Sequence, residues 1–175
     1  MKIFKHTPFR AQARRFADAE QGAVLVEFAL VFPLMLLFFA IMIESARTYW
    51  SYQIAIGGVR DAARYVARVA PLNICTVGGN LTGYTSSLTT IIDSDLAGTG
   101  VFPSTITLAT VDPVVVSHTC ETAPVGSYRI GDVPVATVRA NLIIQFPMGF
   151  IFDWYGDGIG FATTAVEDQA RIIGQ

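Results

Sequence analysis

The sequence predicts an α+β fold, in which a long N-terminal transmembrane helix continues into an amphipathic helix packed on a small antiparallel β-rich domain. Residues 23–43 carry one charge, Glu27, and are long enough to cross a bilayer as one helix. Apolar residues then recur at three- and four-residue steps as far as Val69, which indicates an amphipathic helix. Beyond Pro71 the composition shifts to Thr, Val, Ile, Gly and Pro, which favours strands and turns.

The distribution of charged residues predicts how the chain is oriented in the membrane. Residues 1–22 hold five basic and two acidic side chains, whereas the chain beyond Pro71 holds three basic and nine acidic ones. The positive-inside rule then places the N-terminus in the cytoplasm and everything after about Glu44 on the far side, which in a bacterium is the periplasm. The acidic distal part disfavours a nucleic-acid partner. The predicted segments are a cytoplasmic leader (1–22), a transmembrane helix (23–43), an amphipathic helix extension (44–70) and a β-rich periplasmic domain (71–175).

Glu27 needs compensation, since a charge in a spanning helix costs about 2.5 to 3.5 kcal/mol at the centre and less near an end. A cut between Gly22 and Ala23 would create an ammonium at Ala23. Positions i and i+4 share a helix face, so this ammonium and Glu27 would neutralise each other within one subunit or between neighbours. The position of the charge therefore predicts a cut after Gly22.

The rest of the helix has three predicted features. Pro33 predicts a kink near residues 29–33, and the pair Gly57-Gly58 is either a hinge or a close-packing site. Tyr49, Trp50 and Tyr52 fall where the outer membrane interface is expected. The amphipathic part has an apolar face and an arginine row, which is either a solvated face or a contact with the acidic domain or a neighbouring subunit. The apolar face comprises Tyr52, Ile56, Val59, Ala63 and Val66, and the row comprises Arg60, Arg64 and Arg68.

The distal domain is predicted to be mainly strands. An aromatic connection, Phe150 to Tyr155, precedes the last of them and fits either a membrane-surface contact or a buried strand edge. The candidate strands are Ser104 to Val111, Val114 to Thr119, Val133 to Phe146 and Ile159 to Glu167, with a short helix or turn at Ser87 to Leu96.

Both cysteines, Cys75 and Cys120, lie in the exported part. The periplasm permits disulfides, so one bridge between them is the natural pairing, contributing about 3 to 5 kcal/mol in the chain-entropy model. The alternative is two unpaired buried thiols.

Residues 14–69 resemble the TadE-like family of pseudopilins. A basic leader ending in Gly, a cut before an apolar run and Glu at the fifth mature position are the pattern that type IV prepilin peptidases read. The residues that carry the resemblance are Arg14-Arg15-Phe16, Gly22-Ala23, Glu27 to Pro33, Glu44, Arg47, Tyr49, Tyr52, Gln53 and Val59 to Tyr65.

The resemblance implies a minor pilin or pseudopilin that takes part in biogenesis of Flp-type tight-adherence pili. Its leader would be removed after Gly22 by a prepilin peptidase, and Glu27 would register the mature helix against its neighbours. The implied partners are that peptidase, the inner-membrane assembly platform and related pseudopilins or pilins. Whether the mature protein enters the fibre, caps it or stays in the membrane is left open.

No motif predicts catalysis. His6 and His118 are the only histidines, and no triad, phosphate loop or closed four-ligand metal set can be assembled around them. Asp153 to Gly158 lacks the spacing of a calcium loop. We therefore expect no enzyme, metal or cofactor. The alternative function is an uncleaved, membrane-anchored periplasmic binding module, for which Glu27 would have no use.

Overall fold

The structure, a computed structural model, describes residues 20–97, 105–122, 131–149 and 160–174. The predicted leader, apart from its last three residues, and the aromatic connection from Phe150 to Tyr155 lie outside these ranges. The chain divides into two compact units, Met1–Met42 and Ile43–Gln175. The described part of the first unit is helical throughout, and its side chains are exposed apart from a few half-buried ones.

Helix α1 runs from Glu20 to Val69 and continues through Pro33. The helix prediction is confirmed, with a start three residues earlier than the apolar run. Pro33 is tolerated because neighbouring groups and local adjustment can satisfy the carbonyl that it leaves free. Helix α1 ends just before Pro71, and the Tyr84 hydroxyl donates to the terminal carbonyl of Val69 over 3.3 Å.

Two helices follow α1, of which only the second lies where the sequence predicted a helix or turn, at Ser87 to Leu96. Helix α2 spans Ile74–Val77 and helix α3 spans Thr85–Leu96. A 3-10 turn over Thr82–Tyr84 precedes α3, and the side-chain oxygen of Asn80, two residues before it, accepts from the Thr82 hydroxyl at 2.7 Å. The uncertain helix or turn of the sequence analysis is therefore helix α3.

The sheet is antiparallel, as predicted, and is built around its longest strand. It comprises β1 (Ile106–Leu108), β2 (Val114–Thr122), β3 (Asp132–Gln145) and β4 (Phe161–Arg171). Strands β1 and β2 pair one after the other along one edge of β3, and β4 pairs along the other edge.

The first predicted strand is shorter than expected, because residues 109–113 loop out opposite the single residue Asn141. The backbone N–H of Asn141 donates to Pro113, its carbonyl accepts from Ala109, and its side-chain amide donates to the carbonyl of Asp112. Asp112 has a positive φ of 45°, which a strand does not permit. Strand β1 therefore ends because of its pairing with Asn141 of β3, and not because of its own sequence.

The core lies between one face of the sheet and the helices. Alternate residues of β3 are fully buried, from Pro134 to Leu142, as the two-residue period of a strand requires. They pack with α3 and with the apolar face of α1 in one cluster, in which Tyr52 and Ile56 are partly buried. The residues of α1 in this core are Ala55, Val59, Ala62, Ala63 and Val66, and Ala70, directly after the helix, joins them.

Residues 172–174, after β4, close the domain against α1. Ile172 is fully buried, and its N–H donates to the carbonyl of Pro134 at 2.9 Å. The N–H of Ile173 donates to the carbonyl of Ala67, also at 2.9 Å. This bond satisfies one of the last carbonyls of α1, which have no partner within the helix.

Candidate processing and assembly site

The predicted cleavage point, Gly22-Ala23, lies in the first turn of α1 with both residues exposed. A side chain added at Gly22 would meet no atom within 4 Å. Packing of the described residues therefore does not require glycine here. A requirement for glycine at position 22 would have to come from a molecule that reads the chain.

Glu27 lies one turn further along the same helix and is exposed. Among the residues that the structure describes, no cationic side chain forms an ion pair with Glu27. An ammonium at Ala23 would be at the i−4 position and on the same face. The geometry suits either this internal pairing or pairing with a neighbouring chain.

The apolar surface around Glu27 is uncovered within the described chain. Leu25, Phe28 and Leu34 are 69%, 61% and 67% exposed. The most apolar stretch of 18 residues has a mean hydropathy of 2.6, and by length and composition this is the one described helix that fits a membrane span. One N-terminal apolar helix is therefore available to cross a membrane and to meet other helices there.

The arginine row lies on the solvent side of α1. Arg60, Arg64 and Arg68 are all exposed, and a nitrogen of Arg64 lies 3.6 Å from a carboxylate oxygen of Asp61. Within the described ranges this is a local pair on one helix, which contributes a few tenths of a kcal/mol at most. The arrangement favours the solvated-face interpretation of the row.

Gly58 is a close-packing site, one of the two alternatives for the glycine pair. A β-carbon at Gly58 would lie 3.3 Å from the β-carbon of Asp95 and 3.4 Å from the α-carbon of Ile92. One at Gly57 would meet nothing within 4 Å. Helix α3 therefore approaches α1 closely at Gly58, and Gly57 has no such role.

The disulfide between Cys75 and Cys120 is confirmed. It joins α2, directly after the long helix, to β2, and so excludes the alternative of two free thiols. No group of three or more His, Cys, Asp or Glu side chains is placed to hold a metal ion in the described part of the chain. His118 lies on β2 opposite Ala136.

One polar cluster was given no role by the sequence analysis. Glu44, Arg47 and Thr48 lie on one face of α1 at three- and four-residue steps, and each has buried polar atoms without a hydrogen-bond partner among the described residues. The resemblance singled out Glu44 and Arg47 without assigning them a function. Their burial depends on residues that are distant in sequence and was not predictable from spacing.

Within the described residues, these features are one apolar N-terminal helix, with Glu27 as the single charge between Ala23 and Ile43, that continues into an α+β domain. A family model described as TadE-like protein matches residues 22–64. The match confirms the resemblance to the TadE-like family over 43 of the 175 residues, all within α1. No curated protein and no solved structure matches the chain.

Proposed function

We propose that the chain is a minor pilin or pseudopilin of the Flp-type tight-adherence pilus, whose leader a prepilin peptidase removes after Gly22. The observation that carries the proposal is the TadE-like match over residues 22–64, which points to involvement in the Tad/Flp pilus. The match includes the predicted cleavage point, Glu27 and the apolar surface. In this proposal the protein has a structural role: it is a substrate of the peptidase and catalyses no reaction itself.

The mature helix would assemble laterally through its apolar surface. Lipid tails are as apolar as leucine side chains, so helix association within a membrane needs packing or polar contacts to fix its register. Glu27, exposed and unpaired among the described residues, supplies such a contact with the ammonium of Ala23 on its own chain or a neighbour. The partners are therefore other pilin-like helices and the inner-membrane assembly platform.

The proposed location is the bacterial inner membrane, with the N-terminus cytoplasmic and the α+β domain periplasmic. The basic leader and the acidic distal domain support this orientation. The disulfide supports it too, because disulfides persist in the periplasm and are rare in the cytoplasm.

The test of processing is the N-terminus and intact mass of the protein from membranes of its own host, with and without the prepilin peptidase. We expect a chain beginning at Ala23 only when the peptidase is present. A chain beginning at Met1 in both strains would reject processing and leave an uncleaved anchored binding module as the better account.

Two variants sharpen this test. Gly22→Leu is expected to block cleavage without affecting the fold, because the space around position 22 is open. Glu27→Leu is expected to leave the protein in the membrane but to abolish its co-purification with pilus components. An anchored binding module predicts instead that Glu27→Leu has no effect.

A further inference from the structure

A groove of about 380 Å³ opens beside the polar cluster on α1. It lies within the second unit and is lined on the helix by Glu44, Thr48, Tyr49 and Tyr52, with Phe146 across from them. Phe146 directly follows β3 and is held by its N–H, which donates to the carbonyl of Gly160 at 3.1 Å. The sheet therefore supplies one wall and the helix the other.

The groove adjoins polar atoms that lack partners. Both carboxylate oxygens of Glu44, the Nε of Arg47 and the hydroxyl of Thr48 are buried and make no hydrogen bond to the described residues. Buried polar groups are ordinarily satisfied, and a buried charge without a partner is strongly unfavourable. Glu44 and Thr48 line the groove, and Arg47 lies beside them on the same helix face, so one acidic and one basic side chain lack partners at this place among the described residues.

The length of the apolar segment before Glu44 determines where this polar cluster lies relative to the membrane. Residues 23–43 are long enough to cross the hydrocarbon layer as a helix, and Glu44 is the next residue. Tyr49 and Trp50, 67% and 55% exposed, are the amphipathic aromatic residues that membrane interfaces favour. The cluster is thus at the level of the lipid headgroups on the distal side.

We propose that this groove binds the zwitterionic headgroup of phosphatidylethanolamine. The primary ammonium would donate to Glu44 beside the rings of Tyr49 and Tyr52, which attract a cation. The phosphate would accept from Arg47 and Thr48. The charges favour this ligand, because a headgroup with one ammonium and one phosphate matches one carboxylate and one guanidinium.

The size of the groove also favours a headgroup over a protein helix. Its volume of about 380 Å³ is at the lower end of the range for small-ligand pockets. The proposal requires α1 to span a membrane, but it does not depend on cleavage after Gly22 or on pilus assembly.

The experiment is native mass spectrometry of the full chain in detergent, titrated separately with phosphatidylethanolamine, phosphatidylcholine and phosphatidylglycerol of the same acyl chains. Phosphatidylcholine keeps the positive charge of the headgroup, but its quaternary ammonium has no N–H donors. The headgroup of phosphatidylglycerol has no positive charge. We expect about tenfold tighter binding of phosphatidylethanolamine than of either, from a charge-assisted hydrogen bond. Glu44→Gln should remove this preference, whereas Glu27→Gln, the matched loss of a carboxylate, should keep it.

Other outcomes would overturn the proposal. Equal binding of the three lipids would do so, as would a preference that survives in Glu44→Gln. An intact disulfide in the variant, read from the mass with and without alkylation, shows that the domain has folded. Failure of a carbodiimide to link Glu44 to the lipid amine, together with a link to a lysine of a pilin-like protein, would assign the groove to a protein partner instead. None of these readouts depends on the N-terminus, so processing is judged separately.

Discussion

At the scale of single residues, the packing of α1 against α3 depends on a missing side chain. Gly58 brings the two helices close enough that a β-carbon would touch Asp95 and the backbone of Ile92, whereas Gly57 beside it faces open space. The close approach also leaves Asp95 half-buried and near the carboxylate of Asp61, which raises its pKa. The contact of Gly58 with α3 therefore limits which residues fit at position 58 and also places the Asp95 carboxyl where its ionisation is unfavourable.

The two glycines should respond oppositely to larger residues. Gly57→Ala should stabilise the protein by up to about 1 kcal/mol, because alanine favours the helix and meets no neighbour. Gly58→Val should destabilise it by about 1 to 3 kcal/mol through overpacking against α3. Thermal unfolding of the full chain in detergent measures both. Equal effects at the two positions would contradict the close packing at Gly58.

Asp95 should make stability depend on pH. Burial first, and then repulsion by Asp61, raise its pKa above 3.8. The folded state then holds the proton more tightly than the unfolded state, so this residue costs stability as the pH rises through the raised pKa. Asp95→Asn should therefore stabilise the protein at pH 7, by roughly 0.5 kcal/mol or less after solvent screening, and the gain should vanish below pH 3.8.

The matched control is Asp93→Asn, which removes the same charge from an exposed position on the same helix. Melting temperatures of the wild type and both variants from pH 3 to pH 7 make the comparison. A stabilisation by Asp95→Asn that stays constant over this range, or that appears equally in Asp93→Asn, would show that the buried carboxyl is not its cause.

At the scale of elements, the domain is held to α1 by connections from several directions. The disulfide ties α2 to β2. The buried hydroxyl of Ser51 accepts from the backbone N–H of Thr105, just before β1, over 3.3 Å. The residues after β4 bond to the carbonyl of Ala67. The amphipathic half of α1 is therefore an integral part of the domain rather than a stalk that carries it.

Removing the disulfide should destabilise the α+β domain substantially. The two cysteines are 45 positions apart, and a loop of this length corresponds to roughly 4 kcal/mol in the chain-entropy model. A variant with both Cys75→Ser and Cys120→Ser should melt at a correspondingly lower temperature. Reductant should lower the melting temperature of the wild type and leave the double variant unchanged; an equal response of both would contradict the assignment.

At the scale of the whole molecule, the sequence predicts best what is encoded locally. The helix through Val69 follows from its composition and its three- and four-residue period, and the core strands follow from alternation along β3. The loop at residues 109–113 was not predictable, because it depends on pairing with Asn141. The groove at Glu44 was missed for the same reason, since Phe146 reaches it from roughly a hundred residues further along the chain.

The closure of residues 172–174 onto Ala67 has a consequence for the order in which the domain folds. These residues complete the core and satisfy a carbonyl of α1, but they are synthesised roughly a hundred residues later. In the membrane topology that we propose, the apolar face of the amphipathic half of α1 stays uncovered until the end of β4 has crossed the membrane. The time that translocation takes would then set how long this face is open to periplasmic chaperones.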